Sequence, residues 1–196
     1  MTAAMLVLEP VFEADLPSEQ YAYRPKRSAH EAVSEVGELL HRGYTDVVDA
    51  DLSDYFDQVS HTHLVRFLQH RIADPCLLRI IQRLLKAGVM EDGVVRASEE
   101  GTPQGGLASP VLANIYLHYV LDLWFEKRFA RRCRGKAFVV RYCADFIACF
   151  QAETDARRFL VELQQRLSDF ELEVEPTKTR LLRFGSADQI NQKHRR

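Results

Sequence analysis

The chain has 196 residues, 46% of them hydrophobic and 28% charged, with 9 Gly and 7 Pro. That is enough for one or two domains with a sizeable core, and it excludes disordered, collagen-like and low-complexity proteins. The formal net charge of −2 hides an asymmetry: residues 1–60 carry 12 acids against 4 bases, net −8, and residues 61–196 carry 16 acids against 22 bases, net +6.

The opening stretch, MTAAMLVLEPVFEADLP, is apolar but has neither a basic leader nor a small-residue cleavage site, and is not read as a signal peptide. Ser28 with Glu31 forms a capping-box pattern. Ala32, Val33, Val36, Leu39 and Leu40 then mark one face of a helix over 28–42 that stops at Gly43. The β-branched alternation from Thr45 to Leu52 predicts a strand delivering Asp51 to its C-terminal end. A helix over 61–72 follows, and Asp74-Pro75 caps another that runs to Gly88. Glu91-Asp92-Gly93 reads as a hairpin turn.

After the loop Gly101 to Gly106, Ser109 and Pro110 start the longest helix, to about Phe129. It carries Asn114, His118 and Asp122, so it reads as a buried amphipathic helix and not as a membrane span. Tyr116, Tyr119, Trp124 and Phe125 read as core aromatics on that helix. Phe138–Tyr142 and Phe146–Phe150 predict a strand hairpin with Cys143, Ala144 and Asp145 at its tip. Thr154 is expected to cap a helix to about Phe170, and Leu172–Val174 and Arg180–Phe184 to form short strands around Pro176-Thr-Lys178. This order predicts an α+β fold, a split β-α-β-β-α-β sheet of ferredoxin-like type with helical insertions.

Cys76, Cys133, Cys143 and Cys149 show no metal-ligand spacing, which suits reduced thiols and a cytoplasmic location. His61 and His63 sit at a helix start, where polar residues are ordinary, and are not read as a metal pair. The acid-free run Lys127, Arg128, Arg131, Arg132, Arg134 and Lys136, with a second basic cluster of Lys178, Arg180, Arg183, Lys193, Arg195 and Arg196, suits either a polyanion or a solvated face.

In the expected topology the end of the first strand lies beside the tip of the central hairpin, so Asp51 and Asp145 converge across 94 residues of sequence. Two hard-oxygen ligands on one sheet edge suit Mg²⁺. A pair of such ions supports in-line phosphoryl displacement. On spacing alone, Asp46, Asp49, Asp51, Asp54 and Asp57 read equally as capping and surface acids.

Five ordered blocks across residues 5–185 resemble the bacterial group II intron reverse transcriptases and maturases: Tyr21–Ser28, Val48–Asp57, Glu100–Gly106 with Ser109–Asn114, Arg141–Phe146, and Pro176–Thr179. The resemblance implies a fingers-palm fold and an RNA-directed DNA polymerase using Mg²⁺, deoxynucleoside triphosphates, a DNA primer and an RNA template, with binding of the parent intron RNA. It implies metal binding by Asp51 and a sugar-stacking gate at Phe56 that excludes a 2′-hydroxyl. Pro103, Gln104 and Gly105 would approach the nascent base pair, Lys178 would face the leaving pyrophosphate, and Arg24, Lys26 and Arg27 would contact nucleotide or template phosphates. It divides the chain into partial fingers (1–44), palm (45–185) and a basic tail (186–196). The family's N-terminal finger strands would precede Met1 and its thumb would follow Arg196.

One departure stands out. The family hairpin reads Tyr-x-Asp-Asp, and here Tyr142-Cys143-Ala144-Asp145 puts alanine where the first aspartate, a bridging metal ligand, belongs. Impaired polymerisation is expected, with a non-catalytic RNA-binding or splicing-helper role as the alternative. A palm-like nucleotide cyclase fits less well, since it needs neither the Pro-Gln-Gly loop nor the gate. No oligomeric state follows from the sequence.

Overall fold

The central strand of the sheet is the first to be made. In a computed structural model, which describes residues 2–87, 89–91, 94–96, 100–102 and 109–185, β1 (Asp46–Ala50) lies between two strands from the second half of the chain. The other strands are β2 (Val89–Glu91), β3 (Val94–Arg96), β4 (Ala137–Tyr142), β5 (Asp145–Phe150) and β6 (Arg180–Arg183). The main sheet has the order β4-β5-β1-β6, antiparallel throughout, and β2 and β3 make a separate hairpin. This is the split β-α-β-β-α-β arrangement expected from the sequence.

The helices are α1 (Thr2–Glu13), α2 (Ala29–His41), α3 (His61–Leu68), α4 (Pro75–Lys86), α5 (Ser109–Leu117) and α6 (Glu153–Ser168). Two starts follow the expected capping chemistry. Ser28 Oγ accepts from Glu31 N–H at 3.3 Å, and an Asp74 carboxylate oxygen accepts from Cys76 N–H at 2.7 Å, with Pro75 opening the turn. Gly43, at φ 92, ends the segment after α2 in the left-handed region where a side chain would be strained.

Alternation along the strands sorts side chains between two cores. Val48, Ala50, Phe146, Ala148 and Phe150 face a large core shared with α1, α3, α4, α5 and α6, while Val47, Val140 and Cys149 face a smaller one under α2. Covering both faces of β5 explains its almost wholly apolar sequence. Tyr116, Trp124 and Phe125 are buried in the larger core, as expected of them. No helix among the described residues is long and apolar enough to cross a membrane.

Several local expectations are corrected. The apolar opening stretch is helix α1, whose Leu8 and Phe12 join the main core. The long helix reaches Phe129 as expected, but it widens at His118–Asp122 and again at Phe125–Phe129 before a tight turn at Ala130–Arg132. Ala152, not Thr154, precedes α6, which ends at Ser168. Leu172–Val174 forms a single bridge, Leu52 to Val174, in place of a strand. Val33 is 68% exposed, off the buried face of α2. The Asp92-Gly93 turn, the end of α4's segment at Gly88 and the tail 186–196 lie outside the described residues.

The same alternation sends Arg141 inward, where it is 1% exposed. Its guanidinium forks onto Asp122 at 2.9 and 2.7 Å and also reaches Asn114 Oδ1 and the Cys143 carbonyl. Burial opposes ionisation of Asp122, but Arg141 and His118 outweigh it and hold its carboxyl below the usual range. Stability from this pair is therefore present above the ordinary carboxylate pKa and lost as pH falls through the depressed value of Asp122.

Arg141→Ala leaves Asp122 buried and unpaired and should cost about 3–5 kcal/mol. Arg141→Lys should recover only part, because a lysine cannot make the fork. Urea midpoints check this, and a loss well under 1 kcal/mol for Arg141→Ala would show that the pair is dispensable.

Candidate active site

β1 and β5 pair so that Ala50 faces Phe146. One step beyond, Asp51 and Asp145 emerge on neighbouring strands at the same end of the sheet. The β4–β5 turn has two residues, Cys143 and Ala144, between the paired Tyr142 and Asp145. Cys143 takes a left-handed conformation, φ 59, and its thiol is hydrogen-bonded to Tyr23. Arg141 holds the turn from below through the Cys143 carbonyl at 3.3 Å. The hairpin is thus fixed by register and by a buried cation, with the Ala144 methyl partly buried against the main core.

The two carboxyls interact. Burial, then the negative charge of Asp51 and the hydrogen bond with it, push the Asp145 carboxyl above its usual range, and Lys178 works against them. Lys178 Nζ lies 2.5 Å from Asp51 Oδ2, and this contact raises the lysine's own pKa. The lysine arrives on the turn after α6: Glu175 N–H donates to the Asp51 carbonyl at 2.8 Å, and Lys178 N–H to the Glu175 carbonyl at 3.2 Å. Asp51 and Asp145, distant in sequence, therefore converge at the end of the sheet, and Lys178 joins them on Asp51.

This donor set suits one Mg²⁺ ion, which takes one or two carboxylates and fills its shell with water and phosphate. The Ala144 methyl beside them offers no further oxygen. Among the described residues no group of three or more His, Cys, Asp or Glu side chains is placed to hold a metal.

Phe56 stands on the tight turn after β1, half-buried, with its ring centroid 5.5 Å from that of Tyr55. The Tyr55 hydroxyl donates to the Ala113 carbonyl at 2.6 Å and anchors the turn to α5. The Phe56 carbonyl accepts from Thr102 N–H at 2.7 Å, and Gly101 N–H donates to the Val59 carbonyl at 2.8 Å. Gly101, at φ 81, has room for no Cβ, since one would sit 2.9 Å from the Asp57 carbonyl oxygen. His61 closes the strap, its Nε2 2.6 Å from the Gly101 carbonyl, which is a structural role and not a metal site. The stretch leading to Pro103, Gln104 and Gly105 is thus stitched to Phe56, although those three residues lie outside the described ones.

The remaining basic residues divide. Arg24, expected on a phosphate, is committed inside the protein to Glu13 and to the carbonyls of Pro17 and Gln20. Lys26 and Arg27 are exposed, with Arg27 over the Tyr21 ring at 5.2 Å. Lys127, Arg128, Arg131, Arg132, Arg134 and Lys136 do not join the carboxylates. Lys136 directly precedes β4, about 20 Å along that strand from Tyr142, and the others lie on the turns leading to it.

Sequence reasoning missed the Arg141–Asp122 pair and the Gly101–His61 strap. The first had a signal, a charge at an inward position of an alternating strand. The second arises from tertiary contact and had none.

Asp51→Asn should lower the Asp145 carboxyl pKa by removing the neighbouring negative charge, and Lys178→Met should raise it by removing the compensating cation. Carboxyl-carbon NMR titration reads both shifts. An Asp145 value indifferent to Asp51→Asn would mean that the two groups are not in contact in solution.

Comparison with known proteins agrees with this arrangement. The family model for reverse transcriptase (RNA-dependent DNA polymerase) matches residues 1–194. Protein YkfC of Escherichia coli K12 is 37% identical over 131 residues, covering 65% of this chain and 34% of that protein. The group II intron-encoded protein LtrA of Lactococcus lactis subsp. cremoris is 34% identical over 125 residues, 62% of this chain and 21% of LtrA. The chain thus spans about a third and a fifth of the length of these two relatives. Among solved structures, apo telomerase from Candida tropicalis, truncated from the C-terminal domain, superposes with a TM-score of 0.73 at 14% identity, covering 95% of this chain and 41% of that one. Telomerase from Candida albicans in complex with a fragment of telomeric RNA gives 0.66 at 11% identity, covering 94% and 34%. At such identities the likeness is one of fold, a polymerase palm with adjoining fingers. The carboxylate end of the sheet, the match across almost the whole chain and the intron-encoded relatives together establish that this chain belongs to the reverse transcriptase family, as a domain of the group II intron type.

Proposed function

We propose that the chain is the fingers-palm part of an RNA-directed DNA polymerase whose nucleotidyl-transfer centre lacks one of its metal-bridging carboxylates. The observation that carries this reading is the meeting of Asp51, Asp145 and Lys178 at the end of β1 and the β4–β5 turn, with Ala144 between the hairpin strands. Residues 1–44 act as partial fingers, 45–185 as palm and 186–196 as a basic tail. The substrates are a DNA primer, an RNA template or the parent intron RNA, and deoxynucleoside triphosphates.

In this reading Asp51 and Asp145 hold Mg²⁺, which when bound neutralises phosphate charge and lowers the pKa of the primer 3′-hydroxyl. Lys178 leaves Asp51 as the triphosphate arrives and turns its ammonium toward the leaving pyrophosphate. Phe56 packs under the incoming sugar and refuses a 2′-hydroxyl. Pro103, Gln104 and Gly105 bring backbone against the nascent pair, and Lys26 and Arg27 meet phosphates. With alanine at 144 this chain offers no second bridging carboxylate, so transfer would be slow. The same substitution favours a second reading, a non-catalytic RNA-binding or splicing-helper domain.

Extension of a primed RNA template should be near background for the natural chain and should rise at least tenfold in Ala144→Asp, assayed with its full-length protein context. A natural chain that extends as well as this variant would dismiss the impairment. No extension by either, with RNA binding intact, would favour the helper reading.

Any extension recovered in the Ala144→Asp background tests the gate. Phe56→Ala there should relax the preference for deoxynucleotides over ribonucleotides by an order of magnitude or more. Unchanged discrimination would make Phe56 a packing residue only.

A further inference from the structure

The end of the sheet remote from the carboxylates has its own chemistry. The tight turn at Ala130–Arg132 runs into Cys133–Lys136 and then β4. Within the run, Lys127 pairs with Glu126 and Arg132 with Glu162. Arg128, Arg131, Arg134 and Lys136 are exposed and have no acidic partner among the described residues. Arg157, at the start of α6, and Arg183, at the end of β6, meet on Glu153 at the same end, with contacts of 2.8 and 3.2 Å. Arg183 also lies 3.6 Å from Asp46 Oδ1, so these two arginines flank the run as partly neutralised charges.

The turn that carries Arg134 and Lys136 is held in place. Asp155, buried in the first turn of α6, accepts from Arg134 N–H at 2.8 Å and from Gly135 N–H at 3.3 Å. Gln151 Oε1 accepts from Lys136 N–H at 2.8 Å. Gly135 is so close to Gln151 that a Cβ would lie 2.8 Å from the glutamine's own. A solvated basic face needs none of this. The backbone is spent on ordering a turn whose cationic side chains are left open, which lowers the entropic cost of gripping an anion.

We propose that this basal surface, centred on Arg128, Arg131, Arg134 and Lys136 and flanked by Arg157 and Arg183, is a second RNA-docking site. It binds the phosphate backbone of folded RNA independently of the carboxylate cleft. The proposal deepens the RNA-binding part of the proposed function and does not depend on catalysis. The occupant is a phosphodiester backbone because the central four cations are spaced and unpaired among the described residues, while the aromatics of their own segment, Trp124, Phe125 and Phe129, are buried; Phe184, beside Arg183, is the exposed ring at the flank. Its distance from the carboxylates, about 20 Å along β4, lets one RNA be held at the base while another strand occupies the cleft.

The test uses the whole chain and two fluorescent probes, a 20-base-pair RNA hairpin and a single-stranded RNA of equal length, titrated at several salt concentrations. In the variant Arg128→Gln/Arg131→Gln/Arg134→Gln/Lys136→Gln, hairpin affinity at 0.1 M salt should fall at least tenfold. The log-affinity against log-salt slope should fall in magnitude by about 3, near one unit for each phosphate no longer neutralised. A control that removes the same charge from α3 and α4, Arg66→Gln/Arg79→Gln/Arg83→Gln/Lys86→Gln, should change the slope by less than one unit. Equal losses in both variants would reduce the effect to net charge and overturn the surface. So would an unchanged slope in the basal variant. Primer extension by Ala144→Asp proteins with and without the basal substitutions separates the two readings. Extension retained on a short primed template while hairpin binding is lost supports a distinct site. Extension and binding lost in parallel would fold the surface into the cleft and overturn its independence.

Discussion

A single buried cation holds the middle of this molecule together. Arg141 lies at an inward position of an outer strand, and its guanidinium is satisfied by Asp122 from a wide helical turn, Asn114 from α5 and the carbonyl of the hairpin turn. Its backbone is engaged as well: Arg141 N–H donates to the Glu19 carbonyl and Tyr21 N–H to the Arg141 carbonyl, both at 2.9 Å, tying the chain after α1 to the sheet edge. Asn114 then passes the connection on, accepting from Gln20 and donating to the Ala22 carbonyl. Helix, sheet, hairpin tip and N-terminal segment therefore share one polar network. A buried network of this kind specifies a geometry more than it adds stability, because desolvation offsets most of the attraction.

That geometry explains how a group of like charges is kept at one end of the sheet. Asp51 and Asp145 repel each other, and an unconstrained hairpin would splay to separate them. The register of β1 with β5, fixed over five residue pairs, prevents it. Lys178 relieves part of the repulsion from an exposed position, where it is free to leave. The rigid component and the releasable component are thus different residues on different elements, a division suited to the substrate proposed for the site.

Much of the fold was legible because it is encoded locally. Ser28 with Glu31, Asp74 with Pro75, and the short apolar, β-prone runs 138–142 and 146–150 each carry their own physical cause. The Asp51–Asp145 meeting was legible through topology, since strand order alone puts those strand ends side by side. Features set by tertiary context were not. Helix α1 has no capping signal and carries Pro10 within it, and only burial of Leu8 and Phe12 against the palm accounts for it. The wide turns after Leu117 keep the same apolar periodicity as an ordinary helix. Arg24 read as a phosphate ligand because nothing local shows that Glu13, eleven residues earlier, folds back onto it. Thr154 looked like a cap because the first acidic turn of α6 was invisible as an organiser of the 134–136 turn.

The placement of β1 at the centre of the sheet has a consequence for biogenesis. Asp46 pairs with Phe150 and Arg183, so the strand's partners are encoded a hundred residues and more downstream. At a synthesis rate of about 5–20 residues per second, β1 waits several seconds on the ribosome with both edges open. Long-range pairing of this kind is slow in any case, because a large loop has to close before any contact rewards it. The segment that waits is the one with 12 acids and 4 bases. Acids so concentrated repel their counterparts on a neighbouring chain, and the more basic residues that follow carry both the partner strands and the opposite charge.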